Sequence, residues 1–206
     1  MNFDLSEDEE LLKALAERFV TDHYDIERRR AYLAEPAGFS ARNWALLGEL
    51  GLLAAPFGEE CGGLGLDATG IATVFEALGR GLVVEPLIEN VLLAGRLFAA
   101  TAPAALREEW LPGLLDGSRR IALAHAEARG RPGRLWVECA VHGDGDDGDG
   151  ARLTGAKAYV PGGVGVDAYL VSARAAGHPG SAGGLGLWLV RADAAGLSCH
   201  GWRTAD

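Results

Sequence analysis

Three cysteines in 206 residues, spread at Cys61, Cys139 and Cys199 with no CxxC pair, are too few and too scattered for a disulfide framework or a thiolate zinc site. That scarcity points to a reducing, cytoplasmic setting. Positive charge is also short. Nineteen Lys plus Arg against twenty-nine Asp plus Glu give a formal net charge of -10, which repels a phosphate backbone and argues against a nucleic-acid partner. The one compact basic run, Arg28-Arg29-Arg30, sits among Asp25, Glu27 and Glu35 and reads as a solvated helix face. No window reaches the ~18 uninterrupted apolar residues that a membrane span needs. Met1-Asn2-Phe3-Asp4-Leu5 lacks the basic and apolar regions of a signal peptide, so no membrane partner and no targeting are expected.

What is present is ordinary globular material, 49% hydrophobic and 23% charged, in a chain long enough for one large or two modest domains. Ser6-Glu7-Asp8-Glu9 is a capping box, and Leu11, Leu12, Leu15 and Phe19 follow at helical spacing, which predicts a helix over 6–23. Ser40 caps a second helix carrying Trp44, Leu47 and Leu50. A glycine-dense loop over 55–66 precedes Asp67, which caps a helix carrying Ile71, Val74, Phe75 and Leu78. Pro86 and Pro103 suit the first turns of two more helices, and Asp116-Gly117 stops the helical run.

From residue 119 helical spacing gives way to short apolar or alternating runs bounded by Gly, Asp and Pro. Candidate strands are 121–126, 135–141, 151–153, 156–160, 168–173, 185–190 and 197–202. Helices first and strands after predict an α+β chain: an all-helical domain over 1–118, then a small, incomplete antiparallel β-barrel or sandwich over 119–206. A Rossmann-type nucleotide site is disfavoured by that order.

The residues that could carry chemistry are few. Asp144-Gly-Asp-Asp-Gly-Asp-Gly150 misses the calcium-loop spacing and reads as a hairpin tip, so no metal site is expected. Gly183-Gly184-Leu-Gly186 precedes a strand and does not open a helix, so it reads as a turn. Gly162-Gly163-Val-Gly165 can be a turn or a place where a ligand approaches the backbone closely. Four histidines sit in polar contexts with no second ligand at metal spacing. His125 differs, because it interrupts an apolar strand beside Glu127 and either faces a ligand or is a satisfied core group. No nucleophile elbow is present, and no catalytic residue is assigned.

Taken in order, Cys61-Gly-Gly-Leu-Gly-Leu66, Val74-Phe-Glu-Ala-Leu-Gly-Arg80, Trp110-Leu-Pro-Gly-Leu-Leu-Asp-Gly117 and Leu153-Thr-Gly-Ala-Lys-Ala-Tyr-Val160 resemble the acyl-CoA dehydrogenase family, the last its "LxGxKxWI" strand pair. The resemblance implies a helical domain, a β-domain and a C-terminal helical domain. FAD would lie between the last two, and the activity would be α,β-dehydrogenation of an acyl-CoA thioester in fatty acid metabolism. In that reaction a carboxylate removes the α-proton and the β-hydrogen leaves as hydride to the flavin. The same resemblance implies an oligomer, homo- or hetero-, with electron-transfer flavoprotein as a possible acceptor.

It also implies that Leu123, His125, Ala126, Tyr159, Val160 and Pro161 line the flavin, largely through backbone groups. The chain departs from the family in Ala126-Glu127-Ala128 for Thr-Glu-Pro, in Gly130-Arg131-Pro132-Gly133 for the following loop, and in Tyr159-Val160-Pro161 for Trp-Ile-Thr, with two hydroxyls lost. The segment that carries the family's base is expected to be absent from these residues. Two readings follow: a flavoprotein dehydrogenase subunit, or a non-catalytic partner in a mixed oligomer. The same fold on a different oxidase or hydroxylase substrate ranks behind both.

Overall fold

A computed structural model describes residues 5–131, 133–143 and 151–202. The chain divides into two compact units, one up to Arg120 and one from Ile121 onward.

In the first unit, α1 (Glu7–His23) starts with both halves of the capping box: Glu9 N–H donates to Ser6 Oγ at 3.3 Å, and Ser6 N–H donates to the Glu9 carboxylate at 2.8 Å. Its buried stripe is Leu12, Ala16 and Phe19, spaced i, i+4, i+7. Leu11, expected inside, is 61% exposed because it lies one residue off that stripe. α2 (Ile26–Ala34), capped by Asp25, buries no residue, and Arg28 and Arg30 pair with Asp25 and Glu27 at the surface.

α3 (Ala41–Glu49) is capped by Ser40 and buries Asn43, Trp44 and Leu47; Trp44 Nε1 donates to Gly117 O at 2.9 Å. α4 (Ala68–Arg80) is capped by Asp67, whose carboxylate accepts from the Thr69 and Gly70 amides, and it packs against α1. A Cβ on Gly70 would meet Glu9 Oε1 at 2.5 Å, so a larger residue there would push the Glu9 side chain from its capping position.

Leu87–Gly95 is a π-helix where ordinary helix was expected; it follows Pro86 and runs into α5 (Arg96–Thr101). α6 (Ala104–Asp116) follows Pro103 and ends at Gly117 with φ +82°, a left-handed value suited to glycine.

The second unit holds a five-stranded sheet built on β4 (Ala168–Arg174), every residue of which is buried. β5 (Leu185–Arg191) pairs antiparallel along its whole length. The other edge of β4 is shared by β1 (Ile121–Ala124), in the register Ile121↔Ala168, and by β2 (Ala140–His142), which meets it at Ala140↔Arg174. Both of those pairings are parallel. β2 and β3 (Arg152–Thr154) form an antiparallel hairpin.

The sheet is therefore mixed, which corrects the wholly antiparallel expectation within an otherwise matching fold class. The connection from β1 to β4 is long enough for a crossover because the β2–β3 hairpin lies inside it. β4 is also apolar apart from Ser172 and the terminal Arg174, as suits a strand buried on both faces. The core gathers Ala122, Ala124, Val137, Cys139, Val166, Tyr169, Val171 and Ala173.

Two expected strands do not form. Residues 156–160 make no ladder, and Tyr159 at φ +53° breaks extended geometry; residues 197–202 carry no strand pairing. The expected hairpin tip at 144–150 lies outside the described residues.

Candidate functional site

β1 alternates as a strand should: Ala122 and Ala124 enter the core, whereas Leu123 is half-buried. The chain then leaves the sheet, and His125 and Ala126 are exposed. One backbone bond joins this exit to the second expected segment, with Ala158 N–H donating to Ala126 O at 2.8 Å. Next to it Tyr159 is 71% exposed, its ring edge-on to Trp202 with centroids 6.0 Å apart. Val160 is half-buried and accepts from Gly163 N–H at 3.2 Å, and Pro161 is exposed. The segments around Ala126 and Ala158 are thus brought side by side. Gly155 allows this locally, because a Cβ there would lie 2.7 Å from Cys139 Cα, and its φ is +155°.

Behind this face lies a polar group that sequence reasoning did not assign. Glu127, 6% exposed, accepts from the Glu138 amide at 2.6 Å, the Cys139 amide at 3.0 Å and the Lys157 ammonium at 2.6 Å. Lys157 also donates to Ser172 Oγ at 3.0 Å and to His125 O at 3.3 Å, and His125 Nδ1 lies 3.0 Å from Ser172 Oγ. Burial alone would raise the Glu127 carboxyl; the Lys157 ammonium and the two amides outweigh it and hold the group below the usual carboxylate range. Burial pushes the neighbouring Cys139 thiol up. The available signal was Lys157 itself, a cation in an otherwise small and apolar stretch.

The sequence leaves His125 as either a ligand-facing group or a satisfied core group. The residue is exposed and its ring is bonded at Nδ1, while Glu127 is the buried, satisfied member of the pair.

A second buried carboxyl lies in the helical unit. Tyr24 Oη donates to Glu85, and the Val84 N–H donates to Tyr24 Oη at 3.2 Å. Burial raises Glu85 above the ordinary carboxylate range and raises the Tyr24 phenol as well. Glu85 Oε1 and Asn43 Nδ2 are buried without a hydrogen-bond partner. A cleft of about 310 Å³ lies beside Asn43, lined in part by Asp22, Arg28 and Ser40. Among the described residues no cluster of metal-ligating side chains converges, and no helix is long and apolar enough to cross a membrane.

An α-helical unit followed by a mixed-sheet unit, with two exposed segments at the end of the first strand, defines a class of two-part folds. The profile described as "Acyl-CoA dehydrogenase, N-terminal domain" matches residues 6–118, and the chain belongs to the acyl-CoA dehydrogenase family. Acyl-CoA dehydrogenase FadE27 of Mycobacterium tuberculosis is 29% identical over 192 residues, covering 88% of this chain and 49% of the relative. Among solved structures, a variant of the Tcur3481-Tcur3483 steroid ACAD is 34% identical with a TM-score of 0.78, covering 93% of this chain and 50% of that one. The ChsE4-ChsE5 complex from Mycobacterium tuberculosis is 27% identical with a TM-score of 0.78, covering 96% and 50%. The chain spans at most about half the length of the curated relatives it matches.

Proposed function

We propose that this chain supplies the helical and β portions of an FAD-dependent acyl-CoA dehydrogenase-type oxidoreductase, with the 123–126 and 159–161 segments lining the flavin. The carrying observation is the Ala158-to-Ala126 backbone bond, which sets both segments side by side beneath an exposed tyrosine ring. The residues fit a flat ring system. Tyr159 offers an aromatic face held at a positive φ, a strained backbone that persists only where surroundings enforce it. Bound FAD would supply the two-electron acceptor for α,β-dehydrogenation of an acyl-CoA. This chain's part is to shape the face, exclude water from it and hold donors at its edge. The catalytic carboxylate is assigned to none of the described residues. Electron-transfer flavoprotein is the proposed acceptor.

A second reading is a non-catalytic partner in a mixed oligomer. It is favoured by alanine at 126 and proline at 161, which stand where the family resemblance implies threonine hydroxyls, and by two similar structures described as Tcur3481-Tcur3483 and ChsE4-ChsE5. The first of these acts on a steroid by its description, so an acyl-CoA with a ring-bearing acyl group is a candidate substrate here. Purification of the native protein from its host, with whatever co-purifies, separates the readings. Flavin absorbance that follows this chain through denaturation and reconstitution supports the first, and flavin that stays wholly with a partner subunit supports the second.

A further inference from the structure

The polar chain behind the β-unit face can be followed proton by proton. A lysine ammonium has three N–H donors and no acceptor, and Lys157 reaches three oxygens: Glu127 Oε1, Ser172 Oγ and His125 O. Ser172 Oγ therefore accepts from Lys157 and keeps one hydrogen to place. The residue is 1% exposed, and its other hydrogen-bond neighbour among the described residues is His125 Nδ1 at 3.0 Å. A buried hydroxyl hydrogen without an acceptor would cost the full desolvation of that group. Ser172 thus donates to Nδ1, Nδ1 accepts, and the ring N–H is on Nε2. Charge on Glu127 holds Lys157, Lys157 orients Ser172, and Ser172 selects the tautomer of the ring of an exposed residue.

Resting on the flavin reading above, we propose that His125 is a specificity-determining donor: its locked Nε2–H is presented beside the Ala126 and Tyr159 segments to a carbonyl oxygen of the flat ring ligand bound there. A ring free to exchange tautomers would offer a donor only part of the time. The buried triad removes that freedom.

Two measurements on the full chain, with any subunit that co-purifies, test this separately. Long-range proton–nitrogen NMR of the 15N-labelled protein should show His125 as the Nε2–H tautomer, and Ser172→Ala should yield a tautomer mixture. An Nδ1–H ring in the unaltered protein overturns the proposal. In a titration with FAD followed by flavin fluorescence, His125→Leu should weaken binding about tenfold, the scale of one hydrogen bond. His125→Gln, whose amide sets an N–H near the Nε2 position, should recover most of that loss. Both variants remove the ring acceptor of the buried Ser172 hydroxyl, so their folded state is checked by the dispersion of the same proton–nitrogen spectra. Equal affinity of the leucine variant and the unaltered protein overturns the proposal. Failure of the unaltered protein to bind FAD at all overturns the flavin reading and the ligand assignment with it, while the tautomer is decided by NMR regardless.

Discussion

The helical unit and the β unit each bury a glutamate, and the two are handled in opposite ways. Glu85 meets a phenol and neutral N–H donors but no cation; burial outweighs them, and its proton is held more tightly than usual. Glu127 meets an ammonium and two backbone amides; these outweigh burial, and the carboxylate stays ionised. Depth alone therefore does not decide the charge of a buried acid. What separates the two is the Lys157 cation among the donors to Glu127, which Glu85 lacks.

The sharpest way to break this contrast is to remove the cation. Lys157→Ala leaves an ionised Glu127 buried without its partner, and should destabilise the β unit by about 3–5 kcal/mol. Amide hydrogen exchange of β4 read against that of α1 would measure it, and unchanged protection in β4 would show the pair to be dispensable. Next in size is Tyr24→Phe, which keeps the ring but strips Glu85 of its donor and the Val84 amide of its acceptor. A loss of about 1–3 kcal/mol is expected in the helical unit, by denaturant unfolding.

The pH dependence should differ in sign between the units. Glu127 has a lowered folded pKa, so its contribution is complete above the ordinary carboxylate range and disappears as pH falls through the folded value. Glu85 has a raised folded pKa, so its contribution is complete below that range and disappears as pH rises through the folded value. Hydrogen exchange read below the ordinary carboxylate range and again above it should thus weaken different units, the β unit at the acid end and the helical unit at the other, with Glu127→Gln and Glu85→Gln each removing one of the two slopes. The smallest effect is expected from Arg129→Ala. Its ion pair with Glu138 has side chains 78% and 39% exposed, and its loss should cost less than about 1 kcal/mol in the same unfolding assay.

The legible parts of the fold are those written within a few residues of one another. Ser6, Ser40 and Asp67 cap the helices they were expected to cap, because a cap is a contact across two or three residues. Leu11 was misplaced by one position, since both Leu11 and Leu12 satisfy a loose helical spacing and only packing selects between them. At the site, Tyr159 was singled out as an aromatic on a family-like segment, but the Lys157 triad was not. Its members sit 30 and 15 residues from Lys157 along the chain, and nothing local announces that they meet. The 156–160 stretch looked like a strand for the opposite reason: local composition favoured extension, and a left-handed tyrosine overrode it.

By itself the sequence determined where helices begin, where helical spacing yields to short apolar runs near Gly117, and which family the chain joins, because all of these are recorded in neighbouring residues. Only the tertiary structure decided that β1 and β2 share one edge of β4 in parallel, that Glu85 and Glu127 part company in charge, and that His125 meets Ser172. Those outcomes depend on strand pairing and on partners distant in the chain, whose meeting is set by how the whole unit packs.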